Sequence, residues 1–196
     1  SSLSSINPSV ALNFAVGDFY NQSGNKIGTD GIDDKKKYLV TNKEEAKVIE
    51  KTNKEGGTTQ VSNIGSAKLL PSNTALQASL DVLNATVKGG GLKENTALVM
   101  KDGTVVNGKE GPLPSIVDGY SIAPSSLPAI PDGKTVTDIE VVIHSHPTEI
   151  QIEAGIAYTH SATMPSATDN KTLPQYKATN IIVGPLGQGT VSGNPD

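Results

Sequence analysis

Two short stretches carry the chemistry of this chain: His144-Ser145-His146-Pro147, and Ser166-Ala167-Thr168-Asp169 a little further on. Together they supply two imidazoles, a carboxylate and a hydroxyl. The apolar run Glu140-Val141-Val142-Ile143 before the first histidine reads as a strand, where residues i and i+2 point to one face about 6.5 Å apart. Both rings can then reach a single ion, whereas on a helix the same spacing would splay them. Pro147 lacks an N–H and ends the strand. The pair is thereby set at a C-terminal strand edge, where ligand sites of α/β sheets gather.

Three ligands drawn from His, Asp or Glu, with a fourth position left open, make up a catalytic zinc site. His144, His146 and Asp169 are the expected ligands, and Zn²⁺ the expected cofactor. Ser166 and Asp169 are three residues apart and share a face of a starting helix, so Ser166 can donate a hydrogen bond to a developing oxyanion. The same Ser-x-x-Asp is also the pattern of a helix capping box. These residues do not themselves name a general base to take a proton from water.

The elements that must position them are legible in part. The alternation over Val136–His146 predicts the best strand of the chain, with Ile139, Val141 and Ile143 on one face and Val142, His144 and His146 on the other. Thr96–Met100 reads as a strand, turning at Lys101-Asp-Gly103 into Thr104–Val106. Leu76, Leu80, Leu83 and Val87 recur at helical spacing between Ser72 and Lys88, ahead of Gly89-Gly90-Gly91. A helix is expected from Ser166 and a buried strand at Thr179–Val183. Residues 107–134, rich in Pro and Gly, read as a long surface loop, and 148–164 as another.

Upstream, Asp18–Tyr20 and the Gly-rich stretch 24–31 suggest a hairpin, with Lys37–Val40 as a partner strand. Thr41-Asn42 caps a short helix over Lys43–Lys51, which Gly56-Gly57 stops. Residues 1–17 read as a linker or lead-in strand. The order of elements indicates an α/β or α+β layer fold. Two parts are expected: residues 1–65 as linker, hairpin and short helix, and residues 66–196 as the main domain.

Composition excludes several classes. The net charge is −4, and all sixteen basic residues are Lys, so neither a basic footprint nor guanidinium readout of nucleic acid is present. There is no Cys, which rules out disulfides and thiolate metal sites. No run of about 18 apolar residues exists to span a membrane. Val10–Val16 is too short and lacks the charged flank of a signal peptide, so an export signal is expected outside these residues.

The combination His-x-His-Pro followed by Ser-x-x-Asp resembles the JAMM motif of the JAB/MPN metalloenzyme family, over roughly residues 70–190. The resemblance implies a JAB/MPN-like mixed sheet flanked by helices, and a zinc-dependent hydrolase of peptide or isopeptide bonds. It also implies a catalytic Glu at the start of the strand after the first helix, the place held here by Glu94. Glu110, in the loop, and Glu140, with the histidines' parity, are the rival carboxylates. The family's usual gap of about seven residues between His-Pro and Ser is exceeded here. Residues 148–165 behave as an insertion beside the site, and they carry His160, a possible further ligand. The N-terminal pattern with this core is similar to JAB-like toxin domains of RHS-repeat polymorphic toxins. That likeness implies delivery by a bacterial export system, a protein or peptide substrate and an immunity-protein partner. Two alternatives stand beside it: a non-catalytic MPN-type interaction module, and a cell-wall peptide hydrolase.

Overall fold

The computed structural model describes residues 18–160 and 164–185. The lead-in 1–17 lies outside them. The class is α+β, in two compact units that divide between Asn73 and Thr74.

In the first unit, β1 (Phe19–Tyr20), β2 (Lys26–Gly28), β3 (Tyr38–Val40) and β4 (Ala67–Leu69) form one sheet in the order β2-β1-β3-β4. β1 and β2 pair antiparallel, and β1 and β3 pair parallel. Helix α1 (Lys43–Lys54) begins where the Asn42 side chain accepts from the amides of Glu44 and Glu45, satisfying two of the free N–H groups of a helix start. Its Ile49 packs with Phe19, Ile27, Val40 and Ile64. Gly28 permits that approach, since a Cβ there would fall 2.5 Å from Ile49 Cγ2.

The second unit holds the candidate site. Its central sheet runs β12-β9-β5-β6, from β5 (Thr96–Met100), β6 (Val105–Asn107), β9 (Ile139–Ser145) and β12 (Thr179–Val183). β9 is parallel to β12 and antiparallel to β5. Helix α2 (Asn73–Lys88) covers one face: Ala75, Ala78 and Val82 meet Ala97, Val99, Val141 and Ile143. Its buried stripe is Ala75, Ala78, Ser79, Val82 and Thr86, while Leu76, Leu80 and Leu83 are half-buried and Val87 is exposed. Small side chains let the helix lie close on the sheet, so the leucine spacing found the helix and not its innermost face. On the other face Leu98, Met100, Ile139, Val142 and Leu173 form a second cluster.

Ile139 is therefore not on the face of Val141 and Ile143. The ladder steps from Val99↔Val141 to Met100↔Ile139, leaving Glu140 as the extra residue of a β-bulge, which reverses side-chain parity beyond it. Val136–Asp138, expected as strand, is a 3₁₀ turn closed by a Thr135–Asp138 capping box.

The two stretches expected as loops contain strands. β7 (Ser115–Val117) and β8 (Tyr120–Ile122) form a hairpin, as do β10 (Glu149–Glu153) and β11 (Ile156–His160). The two hairpins join as an antiparallel sheet in the order β11-β10-β8-β7. Their turns, Asp118-Gly119 and Ala154-Gly155, have positive φ at both residues, as a two-residue type I′ turn requires. Helix α3 (Ala167–Thr172) follows, with Ser166 as its N-cap. No helix among the described residues is long and apolar enough to cross a membrane.

Candidate metal centre

β9 delivers the first ligand. His144 lies opposite Thr96 of β5 and Ile182 of β12, on the face of Val142, and is buried. His146 follows the strand, its N–H bonded to Val183 O at 2.8 Å. Between them Ser145 points the opposite way, as strand parity demands, into a buried polar cluster. Its Oγ is 2.6 Å from Thr86 Oγ1 of α2 and accepts from Asn95 N at 2.8 Å, while Asn95 Nδ2 donates to Thr86 Oγ1 at 3.1 Å. The strand end that carries the histidines is thus tied to the helix behind the sheet. Thr86, Ser145 and Asn95 were not singled out from sequence. The parity of Ser145 was the available signal.

Asp169 comes from the first turn of α3. Its Oδ2 accepts from Ser166 N at 2.7 Å, and its own N–H donates to Ser166 Oγ at 3.1 Å. This is the capping box, and it fixes the carboxylate that the metal would use. The Ser166 hydroxyl oxygen accepts from the Asp169 amide, and the hydroxyl is also hydrogen-bonded to the Asp169 carboxylate.

The three groups converge. His144 Nε2 and His146 Nε2 are 3.0 Å apart, His146 Nε2 is 3.0 Å from Asp169 Oδ2, and His144 Nε2 is 3.3 Å from Asp169 Oδ1. Tetrahedral ligands at ~2.0–2.1 Å from zinc stand about 3.3 Å from one another, so the donor set and its spacing fit a metal ion. His144, His146 and Asp169 form a group that could hold one. Burial pushes the His144 imidazole below its ordinary value, with Asp169 opposing and His146 adding to the shift. The neutral, ligating form is favoured. Asp169 is held below the usual carboxylate range although burial opposes this, because the Ser166 hydrogen bonds and the two histidines outweigh it.

Glu94 stands just before β5, half-buried. Burial pushes its carboxyl up; a hydrogen bond from Ser125 and the charge of His146 pull it down, and Asp169 pushes it up. The base expected from the resemblance is therefore within electrostatic reach of two of the three ligands. The rivals are placed elsewhere. Glu110 pairs with Lys93 Nζ at 2.7 Å, and Glu140 sits in the bulge at the opposite end of β9. His160 closes the β10–β11 hairpin opposite Glu149 and is outside the ligand group found among the described residues. Its Nε2 is buried without a partner, and nothing in the structure assigns it a role.

No protein-family model, curated protein or solved structure matches this chain.

Proposed function

We propose that the protein is a zinc-dependent hydrolase of peptide or isopeptide bonds. The observation that carries this reading is the convergence of two imidazole nitrogens and the two oxygens of one carboxylate, with contacts of 3.0–3.3 Å, together with an electrostatically coupled carboxylate at Glu94. His144, His146 and Asp169 would hold the ion, whose part is Lewis-acid chemistry: polarising the scissile carbonyl and making water a competent nucleophile near neutral pH. Glu94 takes the proton of the attacking water and hands it to the leaving amine. Ser166 donates its hydroxyl proton to the oxyanion. Its Oγ is held by the Asp169 amide, and its proton turns from the Asp169 carboxylate to the oxyanion as charge develops there.

The protein partners that a toxin-type effector needs, a substrate and an immunity protein, have a surface to use. Among the described residues, seven of the fifteen exposed large hydrophobic side chains lie on the four strands β7, β8, β10 and β11. We take the likeness to JAB-like toxin domains, with delivery by an export system, as the biological setting of this activity. The same exposed sheet is the observation that favours the second reading, a non-catalytic interaction module.

Elemental analysis and peptide cleavage together test the proposal. The wild type is expected to retain stoichiometric zinc and to cleave. A His144→Ala/His146→Ala variant should lose the zinc, and Glu94→Gln should keep it while losing cleavage by ~10²-fold or more. Zinc retained by the double variant would remove the ligand assignment. Full cleavage by Glu94→Gln would favour a different base.

A further inference from the structure

Glu94 precedes β5 and lies outside its ladder, so something other than strand pairing must hold its side chain. Oε1 accepts a hydrogen bond from Ser125 Oγ at 2.6 Å, within the ~2.5–2.7 Å range of hydroxyl-to-carboxylate bonds that the charge strengthens. Ser125 arrives from 31 residues away, three residues beyond β8.

The backbone around it is a fitted seat. Gly111 N donates to Glu94 O at 2.8 Å, Gly108 N donates to Thr96 O at 2.8 Å, and Thr96 Oγ1 donates to Ser126 O at 3.0 Å. Neither glycine can be enlarged in place. A Cβ at Gly108 would fall 2.0 Å from Thr96 Oγ1, and one at Gly111 would fall 2.6 Å from Pro124 O. Three segments, 94–96, 108–111 and 124–126, therefore meet at a separation that side chains at 108 or 111 would prevent.

We propose that Ser125 is the positioning residue of Glu94, pinning Oε1 so that the other carboxylate oxygen is presented for proton transfer. The proposal rests on the metallohydrolase reading, in which Glu94 is the base. A glutamate side chain has several rotatable bonds, and fixing one oxygen removes most of the conformations that would misalign the other. The Ser125 hydroxyl bonds to Glu94 and has no hydrogen bond to His144, His146 or Asp169 among those of the described residues, so its action is through Glu94. The sheet of β7, β8, β10 and β11 gives the seat a structural root, because β8 leads into it and β10, the neighbour of β8, begins three residues after His146. The titratable groups that act on Glu94 are His146 and Asp169, with the Lys93–Glu110 pair beside it in the chain.

The test is a carbon-13 NMR pH titration of the glutamate carboxyls in the zinc-loaded full chain, as wild type, Ser125→Ala and Ser125→Thr, with Glu94→Gln assigning the resonance. Ser125 is exposed, so removing its hydroxyl opens no core cavity. Loss of a hydrogen bond that favours the ionised form should move the Glu94 midpoint to higher pH in Ser125→Ala, and Ser125→Thr should return it. Zinc content should be the same in all three. In cleavage of an internally quenched peptide library, Ser125→Ala should lose about tenfold in kcat at nearly unchanged KM, with its acidic limb shifted upward and Ser125→Thr restoring both. An unmoved midpoint with unchanged kcat overturns the proposal. If Glu94→Gln is inactive in that case, the hydrolase reading survives it. An active Glu94→Gln removes the reading and the proposal together. A loss in Ser125→Ala that Ser125→Thr does not restore, with the midpoint unmoved, also overturns the positioning role.

Discussion

In the central sheet β9 buries six of its seven residues, whereas β7, β8, β10 and β11 contain no buried residue at all. The first sheet is pressed between α2 and a second apolar cluster. The second is held by its own hydrogen bonds, and its two hairpins meet at one register pair, Gln151↔Tyr120. Bonds from Ile150 N to Ser121 Oγ and from Ile152 N to Gly119 O reinforce that junction. Of the candidate metal ligands, His144 is placed by packing, which tolerates little displacement, and Asp169 by its capping box. The surroundings of Glu94 are placed by turns and hydrogen bonds, which open locally at lower cost. The buried sheet is therefore the more rigid of the two, and the exposed hairpin sheet the more adaptable.

Three substitutions sharpen or break that contrast. Ile143→Ala should have the largest effect. Ile143 is fully buried between α2 and the sheet, and truncation costs ~2–5 kcal/mol through lost transfer energy and the cavity left behind. Urea unfolding should report it as a lower midpoint, and zinc affinity should fall with it. Gly119→Ala should come next. Gly119 has φ +83° and lies against β10, with a Cβ position 2.8 Å from Ile152 O. Forcing alanine into the left-handed region costs about 1–2 kcal/mol. Hydrogen exchange should show that loss in β8, β10 and β11, with β9 and β5 still protected. Equal loss of protection in both sheets would mean they unfold as one. Ile156→Ser should be the smallest. At 56% exposure it should change stability by no more than about ±0.5 kcal/mol. A larger destabilisation would show that the β11-β10-β8-β7 sheet packs on something in solution.

Much of the central sheet was legible because its signals are local. Alternation marked β9, the apolar runs marked β5 and β12, and Gly89–Gly91 marked the end of α2. Parity failed at Ile139 because a bulge is a property of the pairing, and nothing in Ile139-Glu140-Val141 announces it. The β11-β10-β8-β7 sheet went unread for a different reason. Its strands are three to five residues long, they lack a buried face, and prolines and glycines surround β7 and β8. Asp118-Gly119 was a hairpin signal that the loop-like composition hid. Ala154-Gly155 was a weaker one, since alanine seldom takes positive φ.

The chain itself determined which atoms are available to a metal. Two imidazoles two residues apart on a strand share a face, and Ser166 three residues before Asp169 makes the cap that fixes its carboxylate. These are consequences of a period of two and of a single helical turn. Only the tertiary structure decided that His146 and Asp169, 23 residues apart, bring their ligand atoms to 3.0 Å, and that Glu94 finds its support in Ser125. Those contacts depend on strand pairing and on glycines that let separate segments close to within a hydrogen bond. Such closures belong to the packed chain and leave no periodic trace in the residues that make them.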